Sequence, residues 1–315
     1  MYKFLLSASV MLVCALGHTQ MNIPSSTTVS VSVYGGRLYG TLLQPNNTKD
    51  RPVVLMIAGS GPTDRNGNST MLPGKNNSLL QLADSLAHYG IASLRYDKRG
   101  IGESFQALTK EENLVFEQNT ADARSWLQYL YENGYRKIYV AGHSEGSLVA
   151  LHVAQTFPLS GLISLAGAGR PIQEVLREQL STLPEPLKEN AYRCLDSLSN
   201  GKRVNNPPLA LLSLFRPSVQ EYLISWMKLD PANLIRTTHC PVLIVQGDQD
   251  IQVSVQDARR LHEANPIEPL QLIANMNHVL KSVPNGSRTA NIATYTDPNQ
   301  YVMTELVQIL RRFIR

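Results

Sequence analysis

Cysteine is scarce in this chain. Three residues in 315, Cys14, Cys194 and Cys240, are too few for the disulfide framework of a small secreted scaffold. No group of cysteines and histidines has zinc-ligand spacing, so the sequence implies no metal and no cofactor. Charge is modest as well: 17% of residues are Asp, Glu, Lys or Arg, with a formal net charge of +4. The basic residues are scattered rather than clustered, which argues against a nucleic-acid partner. Beyond the first twenty residues no apolar run is long enough to cross a bilayer, and there is no internal repeat or low-complexity tract. What is there is a hydrophobic fraction of 43% on a length that suits one large globular core with an insertion.

The N-terminus reads as a leader. Lys3 supplies a positive first segment, Phe4 to Leu16 form a short apolar run, and Ala15-Leu16-Gly17 offer small residues for a signal peptidase. Residues 1–20 are therefore expected to be a signal peptide, and the protein to be exported to a periplasm or secreted. A retained anchor is the alternative. Cleavage would leave Cys194 and Cys240, and the sequence leaves open whether they pair.

From residue 28 onward the pattern is that of alternating strands and helices. Thr28–Tyr34 and Arg37–Leu43 flank a Gly35-Gly36 turn, the signature of a hairpin. Val53–Ile57 is a continuous apolar run ending in Gly59-Ser60-Gly61, as expected of a strand buried on both faces. Helical spacing follows over 79–88, a strand over 91–96, a helix over 122–132, a strand over 137–141, a helix over 148–157 and a strand over 162–166. This rhythm predicts an α/β fold with a mostly parallel, doubly wound sheet. It breaks over 170–239, where helical patterning and prolines predict an inserted helical lid. Strands resume at 242–245 and 270–273, and an amphipathic helix is expected over 300–314.

The motif that carries chemistry is Gly142-His143-Ser144-Glu145-Gly146. A bare G-x-S-x-G match is weak, but here a strand precedes it and a helix follows it at once. That context makes Ser144 the candidate nucleophile on a sharp strand-to-helix elbow, with flanking glycines relieving the crowding. The bland alternative is a glycine-rich helix start whose serine only caps it. A serine hydroxyl needs a base, and the base an orienting carboxylate, in the chain order serine, acid, histidine. After the insertion, Asp250 in Gly247-Asp248-Gln249-Asp250 is the candidate acid, with Asp248 as the alternative. A calcium site at the two aspartates lacks further oxygen ligands nearby. Of seven histidines, His278 lies one strand beyond the acid and is the candidate base; a buried structural histidine is its alternative role. His143, inside the elbow, is expected to point away from the serine. Oxyanion stabilisation needs two backbone donors. Glu145 N–H is the first, and Ser60 N–H in Ala58-Gly59-Ser60-Gly61 is assigned as the second, with the adjacent amides as alternatives.

Taken with Gly59-Ser60-Gly61-Pro62-Thr63-Asp64-Arg65-Asn66-Gly67, Asp97-Lys98-Arg99-Gly100-Ile101-Gly102-Glu103-Ser104, Phe215–Gln220 and Asn277–Lys281, the motif resembles the α/β-hydrolase superfamily over essentially the whole mature length. Within it the chain looks like the bacterial carboxylesterase branch labelled serine aminopeptidase-like hydrolases. That resemblance implies Ser144, Asp250 and His278 as a triad hydrolysing esters of short acyl chains, with a small-molecule ester as partner. Relatives often carry histidine where Ala58 stands, which leaves the side-chain support of the oxyanion loop unexplained. Two other readings stay open: the same triad acting on amides or peptides, and a non-catalytic binding module on this fold.

Overall fold

The computed structural model describes residues 24–45, 51–108 and 110–314; the leader expected over 1–20 lies outside them. The chain opens with a hairpin, β1 (Ser25–Val33) and β2 (Gly36–Gln44), paired antiparallel from Ser25 opposite Gln44. Gly35, at φ 93°, makes the turn in a backbone region that side chains avoid.

Next come β3 (Val53–Ile57), helix α1 (Ser78–Ala87), β4 (Ala92–Tyr96), α2 (Phe116–Glu132), β5 (Ile138–His143), α3 (Glu145–Ala154) and β6 (Gly161–Leu165). Strands β3 to β6 are buried at every residue, because helices cover both faces of the sheet. The helical segment between β6 and β7 holds α4 (Ile172–Leu180), α5 (Leu187–Ser199), α6 (Leu212–Phe215), α7 (Gln220–Trp226) and α8 (Pro231–Arg236). The sheet closes with β7 (Val242–Gly247), α9 (Val255–Ala264) and β8 (Leu270–Ile273), followed by α10 (Arg288–Ala293) and α11 (Thr304–Phe313).

The eight strands lie in the order β1-β2-β4-β3-β5-β6-β7-β8, parallel from β4 onward. After β3 the chain steps to one side for β4 and then to the other for β5. The reversal is a topological switch point, where open sheets of this kind leave a crevice beyond the strand ends. One apolar cluster joins the sheet to α2, α3 and α9 through residues such as Trp126, Val149 and Leu261, and a second joins its other face to α1 and α11. Residues of α4, α5, α6 and α7 form a third cluster of their own, around Ala191, Leu195 and Phe215.

Strands Val53–Ile57 and Leu270–Ile273 match their sequence expectation residue for residue. Helix starts differ. Helix α2 begins at Phe116 rather than 122, because the polar Asn119 and Asp122 share its buried face with Phe116 and Trp126 and mask the apolar period. The last helix begins at Thr304, since Val302 is held in a bridge to Lys281. Cys194 and Cys240 are both free thiols. Among the described residues no helix is long and apolar enough to cross a membrane.

Candidate active site

The pairing of β3 with β5 sets Ile57 opposite Gly142, so the loop after β3 emerges beside the turn after β5. That turn is extremely tight. A Cβ on Gly142 would lie 2.1 Å from Gly146 O, and one on Gly146 would lie 2.3 Å from Ile57 O. Only glycine fits at either position. Ser144 between them has φ 55° and ψ −119° and heads α3 as its N-cap residue. Such a backbone costs on the order of 1–3 kcal/mol, and tight packing must hold it there. Ser144 N–H is bonded to Leu165 O at 2.9 Å, which pins the elbow to β6.

At the far strands, the loop after β7 and the loop after β8 meet. His278 Nδ1 lies 2.8 Å from Asp250 Oδ2, with both side chains almost fully buried. A carboxylate can only accept, so Nδ1 carries the proton and Nε2 is left with its lone pair. Asp250 is fully engaged. Oδ1 accepts from the Gln252 and Val253 amides at 2.8 and 2.9 Å, and Oδ2 also accepts from Gln246 Nε2 at 3.0 Å. Burial works to raise the Asp250 carboxyl. The His278 ring and those two amides outweigh it and hold the group below the usual carboxylate range. Asp248 plays a separate, structural part, accepting from Asn275 N–H at 2.7 Å and so shaping the turn after β8.

His143 joins the two halves. Its ring centroid is 4.8 Å from that of His278, and its Nε2 donates to the His278 carbonyl at 2.7 Å. The ring therefore ties the His278 loop to the elbow. Burial, with the nearby His278 ring adding to it, pushes His143 down to about 4, so it stays neutral and cannot compete for the proton. Among the described residues no hydrogen bond links Ser144 Oγ to His278; contacts of this kind commonly tighten only when substrate arrives.

Ser60, Ser144 and Glu145 open onto one cavity of about 660 Å³. Gly59 abuts the elbow, since a Cβ added there would lie 3.3 Å from Ser144 Cβ. The opposite wall is apolar and comes from the segment between β6 and β7, through Ile172, Val175, Leu176 and Leu223 among others. Tyr222 reaches the cavity from α7, where Asn119 Nδ2 of α2 donates to its hydroxyl at 2.9 Å. Burial, reinforced by the facing Glu145 carboxylate, holds that phenol protonated well above its ordinary range. Asn119 carries no sequence signal for this role, because it meets Tyr222 only through packing of α2 against α7.

The charged residues after β4 each secure a different neighbour. Asp97 accepts from Arg65 N–H at 2.8 Å and from its guanidinium at 2.6 Å, holding the loop after β3. Lys98 Nζ reaches Gly59 O at 2.6 Å, and Arg99 pairs with Asp122 of α2.

Residues 75–281 match a family model described as serine aminopeptidase, S33. The chain is 29% identical over 252 residues to esterase EstD of Thermotoga maritima, an alignment that covers 78% of this chain. It spans 58% of the length of that curated relative. Among solved structures, the Pyrococcus furiosus esterase Pf2001 superposes with a TM-score of 0.57 at 15% identity, over 92% of this chain and 91% of the other. Est1E from Butyrivibrio proteoclasticus, solved with ferulic acid bound, gives 0.55 at 18% identity over 85% and 96%. These two likenesses establish the α/β-hydrolase fold.

Proposed function

The chain belongs to the serine aminopeptidase S33 family of α/β-hydrolases, and we propose that it is an exported serine carboxylesterase acting on small-molecule esters with short acyl chains. The observation that carries this reading is the strained Ser144 at the head of α3, beside a buried Asp250–His278 pair that leaves Nε2 free. His278 Nε2 takes the Ser144 proton as Oγ attacks the ester carbonyl. Asp250 holds the ring and offsets the charge that the imidazolium gains. The tetrahedral oxyanion lies between Ser60 N–H and Glu145 N–H, at the positive end of α3. His278 returns the proton to the leaving alcohol, and water repeats the cycle on the acyl-enzyme. The helical insertion acts as a lid. A short acyl group fills only part of the 660 Å³ cavity, and the remainder takes the alcohol.

The esterase name of the Thermotoga maritima relative supports ester over amide chemistry. Export rests on the leader-like residues 1–20. A panel of p-nitrophenyl esters against aminoacyl-nitroanilides tests the substrate class on the mature protein. Preference for butyrate or shorter esters supports the proposal, and preference for nitroanilides overturns it in favour of a peptidase.

A further inference from the structure

We propose that Lys98 is a positioning residue that aims the oxyanion hole. The inference rests on the nucleophile reading above. Lys98 is buried, and its Nζ donates to Gly59 O at 2.6 Å while lying 3.4 Å from Glu145 Oε1. Its two partners are the residues on which the hole depends. Gly59 O and Ser60 N–H belong to one planar trans peptide, so they point in opposite directions. Fixing the carbonyl toward Lys98 turns the Ser60 N–H away from it. Glu145 carries the other donor on its own backbone. A single ammonium thus references both donors to the end of β4.

The lengths say which contact dominates. At 3.4 Å the ion pair with Glu145 is loose, whereas the bond to Gly59 O is short. The arginines on the cavity wall are used differently. Arg99, Arg170 and Arg216 each close a two-pronged pair with a carboxylate, Asp122, Asp257 and Glu111 respectively. Lys98 spends its close contact on a loop carbonyl instead. A cation there also polarises the Gly59–Ser60 peptide, which strengthens the N–H as a donor to developing negative charge. A second restraint holds the next peptide, where Thr63 Oγ1 donates to Ser60 O at 2.8 Å. The Ser60 N–H that these contacts aim serves the oxyanion, whose charge is fully developed only in the tetrahedral state, so the benefit belongs mainly to that state.

The test compares wild type with Lys98→Met, active sites being counted by fluorophosphonate titration. Turnover should fall by about 10²-fold while KM stays within about threefold. Affinity for an alkylboronic acid, which becomes tetrahedral on Ser144, should fall in the same proportion, while affinity for the flat carboxylate product should hold. Because Lys98→Met leaves a buried carboxylate unpaired, Lys98→Met/Glu145→Gln removes both charges and should show the same split. Ser144→Ala run alongside separates the two claims: if it is inactive while folded Lys98 variants keep wild-type turnover, the positioning role is wrong and the nucleophile stands. Equal losses in boronate and carboxylate affinity would also overturn it, since general loosening of the pocket predicts that outcome.

Discussion

The strand ends and the helical insertion bound the same cavity, but they are held by different physics. At the strand ends the Asp250 and His278 side chains are almost fully buried, and Asp250 alone takes four hydrogen bonds, from His278, Gln246, Gln252 and Val253. The insertion has its own apolar cluster. Separate polar ties join it to α9, to the segment after β4 and to α2: Arg170 to Asp257, Arg216 to Glu111, and Phe116 N–H to Ser225 Oγ at 2.8 Å. Arg216 and Glu111 are each about 40% exposed, and a pair in that setting contributes at most about 1 kcal/mol. On the proposed function, reaction chemistry belongs to the hydrogen-bonded strand ends and substrate choice to the insertion.

The sharpest way to break this division is to change one atom on the rigid side. Ser144→Ala should lower turnover on a p-nitrophenyl ester by about 10⁶-fold without altering the cavity. Asp250→Asn should cost about 10⁴-fold in turnover, because the amide favours the wrong tautomer of His278. Steady-state rates on protein of unchanged melting temperature check both.

Acid should expose the same rigidity. His143 is held near 4 in the folded protein against an ordinary 6.5. Below about 6.5 the unfolded chain takes up a proton that the native state refuses. Its contribution is thus complete above that value and is lost as pH falls toward 4, by about 3 kcal/mol in all. His143→Gln cannot titrate, so its urea-unfolding stability should decline less over that interval than that of wild type. On the adaptable side, Leu176→Trp should narrow the cavity. The ratio of kcat/KM for octanoate over acetate esters should fall about tenfold, with acetate turnover little changed.

How much of this is legible in the sequence follows the same boundary. Continuous apolar runs such as Val53–Ile57 give buried parallel strands, because such runs have nowhere to go but between two helical layers. The elbow is legible because two glycines are required by backbone clearance, and the Asp250–His278 pair because its members lie in the loops after successive strands. The insertion is legible only as helical, since its helices pack on one another. Lys98, Asn119 and the stacking of His143 on His278 are not legible. Each depends on which segments meet across the sheet, and a buried lysine looks like any surface lysine until its neighbours are known.

The central claim is that Ser144 is the nucleophile, and intact-mass spectrometry after fluorophosphonate treatment tests it most directly. The account predicts one adduct per chain on wild type, mapped by peptide sequencing to Ser144, with none on Ser144→Ala and slow labelling of His278→Ala. An adduct at another serine, or equal labelling of Ser144→Ala, would contradict it.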